Sequence, residues 1–174
     1  MNDCKKSIFY QVSDTRAISP CILTMRMAFD KFKTFPGKAL KFISDVFSSY
    51  PPTKLQFELK ENKIFDLIQV IGLTNDDAVS KEFHWLKQVV ELLNRTFKPS
   101  YRVTCGYGCE DGALYEVSLW VAYYNFLRPH TYSYWKPLNH LDIFDNVDNM
   151  PAKWQLLIYL GQQKILELQK QNIS

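Results

Sequence analysis

No glycine-rich phosphate loop occurs in this chain. The nearest approach, Gly106-Tyr107-Gly108, lacks the Lys and Ser/Thr that a P-loop places after its glycines, which excludes that route to nucleotide binding. No G-x-S-x-G elbow is present, and nothing marks a cysteine nucleophile. Histidine is scarce. His84, His130 and His140 are scattered around Cys105-x3-Cys109, whereas structural zinc sites show two close ligand pairs, so zinc is not expected. Long apolar runs are missing too. The most apolar stretch, Val117 to Leu127, contains Ser118 and Asn125 and falls far below the roughly 20 residues of a membrane span. Asp3, Lys5 and Lys6 interrupt the start, and Ser7 to Val12 is too short for a secretory apolar region. A large excess of charge of one sign is missing as well, with 21 Lys and Arg against 18 Asp and Glu. A net charge of +3 permits nucleic-acid binding only through a local basic footprint.

What is present fits one core-forming unit. The 174 residues, 47% of them hydrophobic and 15% aromatic, exclude a disordered chain. The four cysteines, Cys4, Cys21, Cys105 and Cys109, are not needed as staples in a chain with so large a core. A reducing, cytoplasmic setting is expected, without a membrane partner or a small-molecule substrate.

The main organising stretch is Ser80 to Lys98. Phe83, Leu86, Val90, Leu93 and Phe97 recur at spacings of three and four, as one face of an amphipathic helix does. Lys87, Glu91, Arg95 and Lys98 share another face. Such a face is ordinarily solvated, with Glu91 paired to Lys87 and Arg95. It becomes a metal site only if the fold brings a second carboxylate close. Pro99 is expected to end this helix.

The remaining pattern is α/β. Strands are read at Ser7–Val12, Ala39–Ile43 and Phe65–Ile71. Helices are read from Ser19-Pro20 to Lys33, from about Thr53 to Glu61 with Leu55 and Leu59 four apart, from Ala113 to Leu127, and from Pro151 onward. Residues 131–149 read as a long irregular segment. Asp45 stands just past the end of a strand, where open α/β sheets build their sites. Paired with Glu91 it would offer two hard oxygen ligands of the kind that Mg²⁺ takes beside a phosphate.

Several segments carry a resemblance, in matching order. ISDVFSSYP (Ile43–Pro51), LTNDDAVSKEFHWLKQVVELLNRTFKPSYR (Leu73–Arg102), GYGCEDGALYEVSLWVAYYNFLRPH (Gly106–His130) and NMPAKWQLLIYLGQQ (Asn149–Gln163) are similar to bacterial insertion-sequence transposases of the DDE type. The match covers almost the whole chain from about Ser7. It implies a ribonuclease-H-like, retroviral-integrase-like catalytic core over residues 1–130, with residues 131–174 as an irregular segment and a carboxy-terminal helix. It also implies that Asp45 and Glu91 are the second and third catalytic acids and hold Mg²⁺ or Mn²⁺, the complete family site being a two-ion one. Lys87, Arg95, Lys98 and Arg102 would then neutralise DNA phosphates, joined by Arg128 and His130 of the YYNFLRPH segment; a dipole-complementing role for the last two is an equal reading.

The chain departs from the family pattern at Val46, where many relatives have Gly, and at Leu92, where Arg is expected. The family's first acid has no counterpart. The resemblance therefore implies an amino-terminally truncated core with two acids of three, lacking its first strand. The implied reaction is metal-dependent DNA cleavage and strand transfer, impaired in this chain. The alternative is a non-catalytic remnant that binds DNA, an intact transposase or itself.

Overall fold

The computed structural model describes residues 10–32, 34–36, 40–70, 78–103 and 105–173. The side chains of Lys87, Asn172 and Ile173 stand outside that description, as do the amino end of the strand read at Ser7–Val12 and the Asn75-Asp76-Asp77 loop. The backbone divides into two compact units. One spans Ser7–Val117 and the other takes in Ser118–Ser174.

In the first unit, α1 covers Ile18–Phe29. It begins earlier than Ser19-Pro20 indicated, because a proline in the first turn removes an N–H that has no intrahelical acceptor there. Its spacing of apolar residues buries Met25 and Phe29. β1 covers Lys41–Ser44 and β2 Asp66–Gln69, joined by α2 over Tyr50–Glu61. The two strands pair in parallel, Lys41 opposite Asp66 and Ser44 opposite Gln69. Parallel neighbours need such a crossover, because a tight turn can only reverse the chain. Hydrogen bonds from the Asp66 and Val70 amides to the Leu40 and Ser44 carbonyls, 2.9 Å each, extend the pairing at both ends.

The core is aromatic. Met25, Phe29, Phe57 and Phe65 are buried together, with Cys21, Ile22, Phe35, Leu40 and Phe42 packed around them. Phe29 meets Phe35, Phe57 and Phe65 edge-on, with ring centroids 5.2–5.3 Å apart. The inner face of α2 is formed by Thr53 and Phe57. Leu55 and Leu59, the apolar pair of the sequence reading, are 53% and 76% exposed. The Thr53 hydroxyl is buried at no cost because it donates to the Ser49 carbonyl at 2.7 Å. Asn62 then ends α2 in the left-handed conformation.

Three sequence expectations are corrected here. Tyr10–Val12, the described part of the first expected strand, forms no strand. Tertiary contact overrides β propensity: the Gln11 side-chain oxygen accepts from the Thr24 hydroxyl at 2.6 Å, tying the segment to α1. Among the described residues the sheet therefore has two strands. Second, α3 runs from Ala78 to Val103 and passes through Pro99. Pro99 has no N–H to offer the Arg95 carbonyl, yet a single missing bond does not stop a helix this long. Third, α4 begins at Glu110, ahead of the expected Ala113, with Glu110 and Asp111 at the positive end of its dipole.

α4 ends at Ala122 and continues as a π-helical turn, Tyr123–Leu127, inside the second unit. There the Arg128 amide donates to the Tyr123 carbonyl at 2.7 Å. Short 3-10 turns at Thr131–Ser133 and Asp142–Phe144 punctuate the irregular segment, which Phe144 anchors by its own burial. α5 covers Met150–Ile173. The Asn149 side-chain oxygen caps it, accepting from the Ala152 amide at 2.9 Å. The chain is thus α/β and mostly helical, with one small parallel sheet among the described residues, in the first unit. Among the described residues no helix is long and apolar enough to cross a membrane.

Candidate functional site

α3 packs on β1, and Phe83 is buried with the Lys41 ammonium 5.3 Å from its ring centroid. One turn further along, Leu86, Val89 and Val90 face the carboxyl end of β1 across a cleft of about 660 Å³. Apolar walls come from Phe42, Ile43 and Tyr50 as well. The rim is polar and charged: Arg16, Asp45, Glu91 and Asn94. Asp45 reaches the cleft because β1 ends at Ser44, and Glu91 because it directly follows Val89 and Val90, which line the cleft, on α3. The two carboxylates that the sequence singled out therefore line the same cleft.

Arg16 was not anticipated. Its guanidinium stands 3.8 Å from the Asp45 carboxylate and 4.1 Å from the centroid of the Phe47 ring. Both charged groups of this pair are more than half exposed, so the pair adds little to stability. Its weight lies in occupying one side of Asp45 with a cation. Nothing in the sequence marks Arg16, a lone basic residue in an irregular stretch. Tyr50, on the cleft wall, has its phenol pKa raised by burial and further by the Asp45 charge.

The donor chemistry suits a hard divalent ion. Two carboxylates, with the Asn94 amide oxygen on the same rim, are oxygen ligands of the type that Mg²⁺ and Mn²⁺ accept. Further along α3, Arg95, Lys98 and Arg102 are exposed. Arg95 also lines a shallow hollow with Gln88, Glu91 and Leu92. The expected Glu91–Arg95 ion pair is not formed among the described residues, which leaves Arg95 available to an outside anion. Lys87 has its side chain outside the described set.

Arg128 and His130 belong to the second unit. Arg128 lies over the Tyr124 ring at 5.6 Å. His130 is 5% exposed, so it is not placed to meet a DNA phosphate. Its Nε2 lies 3.0 Å from the Tyr124 carbonyl, and its ring packs edge-on against Tyr124 at 4.8 Å. It is a packing residue that pins the π-helical turn. His84 Nε2 lies 2.9 Å from the Gln88 side-chain nitrogen.

Burial, with the Arg128 charge nearby, lowers the His130 pKa below its ordinary value. The neutral ring is then the native form, while the unfolded chain takes up a proton more readily. This contribution is complete above about pH 6.5, the unfolded value, and is lost as pH falls from there through the lower pKa of the folded state. Thermal unfolding between pH 7.5 and 5 should show a midpoint that drops on acidification. A His130→Gln variant should show a flatter pH dependence; an unchanged slope would remove His130 as its source.

No protein-family model, curated protein or solved structure matches this chain.

Proposed function

We propose that the unit containing the cleft is a DDE-type transposase core with a ribonuclease-H-like fold, acting on DNA phosphates. The observation that carries this reading is the shared cleft: Asp45 from a strand end and Glu91 from α3 on one rim, with Arg95, Lys98 and Arg102 following along the same helix. Asp45 and Glu91 would hold Mg²⁺ or Mn²⁺, which supplies Lewis-acid polarisation of a phosphate oxygen. The cations of α3 hold the backbone of DNA without reading its sequence.

Catalysis by the chain alone is expected to be weak. Two matched carboxylates leave incomplete the ligand set that clamps attacking and leaving oxygens in two-ion chemistry. A cleavage and strand-transfer assay with Mg²⁺ or Mn²⁺ tests this, with Glu91→Gln as control. Little or no strand transfer is the expected outcome. Robust activity abolished by Glu91→Gln would show a complete site and overturn the impaired reading.

The second reading is a non-catalytic remnant that binds DNA or a transposase, its own copies included. The Arg16 guanidinium favours it, because a cation 3.8 Å from Asp45 already occupies one side of that carboxylate. The two readings part on whether a divalent ion enters the cleft.

A further inference from the structure

We propose that His140, Asp142 and Asp145 form a second divalent-cation site, one that takes a borderline ion such as Zn²⁺ through an imidazole nitrogen and two carboxylate oxygens. The site lies in the second unit and does not depend on the transposase reading. His140 Nε2 is 3.2 Å from Asp145 Oδ2 and 3.6 Å from Asp142 Oδ1, and the three ligand atoms lie within 4.8 Å of one another. Zinc ligands sit about 2.0–2.2 Å from the ion, so two of them at a tetrahedral angle are roughly 3.4 Å apart. Both imidazole-to-carboxylate distances fall within a few tenths of an ångström of that edge.

Local structure places these groups. Asp142–Phe144 is a 3-10 turn, and residues three apart eclipse one another in such a turn. Asp142 and Asp145 therefore project on one side, with the Asp145 amide donating to the Asp142 carbonyl at 3.0 Å. Buried Phe144 fixes the turn from below, and the Asn139 amide bonds the Asn125 carbonyl at 2.7 Å, fixing the entry to His140. The imidazole is oriented as well. Its Nδ1 is buried without a hydrogen-bond partner, which leaves Nε2 as the nitrogen turned to the carboxylates.

A plain surface ion pair explains this arrangement less well. A neutral imidazole has one N–H, and it can serve one carboxylate. The second carboxylate then remains as a like charge beside the first, which costs energy. A divalent ion neutralises both. Asp142 and Asp145 are exposed, so an ion enters from solvent and keeps water in its open positions. The nitrogen ligand selects Zn²⁺ over Mg²⁺, which prefers an all-oxygen shell.

The test is calorimetric titration of Zn²⁺, and separately Mg²⁺, into the full chain carrying Cys105→Ser and Cys109→Ser, which removes two exposed thiols. Amide resonances of residues 139–146 are followed in parallel. Zn²⁺ should bind more tightly than Mg²⁺ and shift those resonances. His140→Ala and Asp145→Asn should each weaken the Zn²⁺ affinity by at least about tenfold, since even an outer partner of a ligand is worth 10–100-fold. Asp145 is a surface residue, so its substitution leaves the packing intact. Zn²⁺ that shifts other residues only, an affinity untouched by both substitutions, or no binding at all would overturn the proposal.

Discussion

Phe57→Ala will destabilise the unit that holds the cleft by about 3–5 kcal/mol, the range for deleting a buried aromatic ring. Phe57 has no exposed surface, and its ring contacts Phe29 at 5.2 Å and Phe65 at 6.3 Å between centroids. Truncation removes both edge-to-face contacts and leaves a void that the surrounding rings cannot fill without losing their own geometry. A domain of this kind has only about 5–15 kcal/mol in total, so a large share of its stability is at stake. Leu55→Ala on the same helix is the contrast. Leu55 is 53% exposed, and its loss should cost well under half as much. Urea unfolding of the three proteins measures the difference. Equal, small losses at both positions would show that the aromatic cluster is not the core. The consequence extends to function, because α2 and β1 pack through this cluster and β1 positions Asp45.

Reversing two charges, Arg95→Glu with Lys98→Glu, will weaken binding to duplex DNA of arbitrary sequence by on the order of 10²-fold at 0.1 M salt. Each phosphate contact releases counterions and contributes about 0.9 to the slope of log affinity against log salt. Two lost contacts therefore reduce the slope by about 1.8, and the introduced carboxylates add repulsion. Both side chains are exposed and project from a helix whose other face is packed, so the substitutions leave the core untouched. A fluorescence-anisotropy titration at several salt concentrations gives both quantities. Unchanged affinity and slope would remove this surface from the account. Competition by unrelated duplexes should be equal, since phosphate contacts carry no sequence information.

The sequence made much of the local structure legible through periodicity. Phe83, Leu86, Val90, Leu93 and Phe97 recur at helical spacing, and the helix they predict forms and packs on β1, with Phe83 buried but Val90 53% exposed. Asp45 and Glu91 are singled out by the resemblance more than by spacing; they line one cleft because one follows β1 and the other lies on α3, which packs on it. Where tertiary context decides, the sequence was silent or misleading. Tyr10–Val12 has strand-forming residues but is drawn to α1 through Gln11 and Thr24. Leu55 and Leu59 have the right spacing, yet Thr53 and Phe57 take the inner face, because a buried hydroxyl that bonds its own helix costs little. For His130 the YYNFLRPH resemblance implies a DNA contact and its place at a helix end an equal capping role; it is buried with its Nε2 3.0 Å from the Tyr124 carbonyl, a position that only packing decides. Arg16 could not have been found at all, since only the fold brings it to Asp45.

If Asp45 and Glu91 act as one cation-binding pair, Mn²⁺ will find both. Paramagnetic broadening by Mn²⁺ reports which amides lie near the ion. Residues 44–46 and 90–92 should broaden together at the same Mn²⁺ concentration, and Asp45→Asn or Glu91→Gln should abolish the effect at both segments. Arg16→Ala should strengthen it, because Asp45 then loses the guanidinium that competes for its charge. Broadening at one segment only, or at neither, would contradict the account and leave the cleft to the non-catalytic reading.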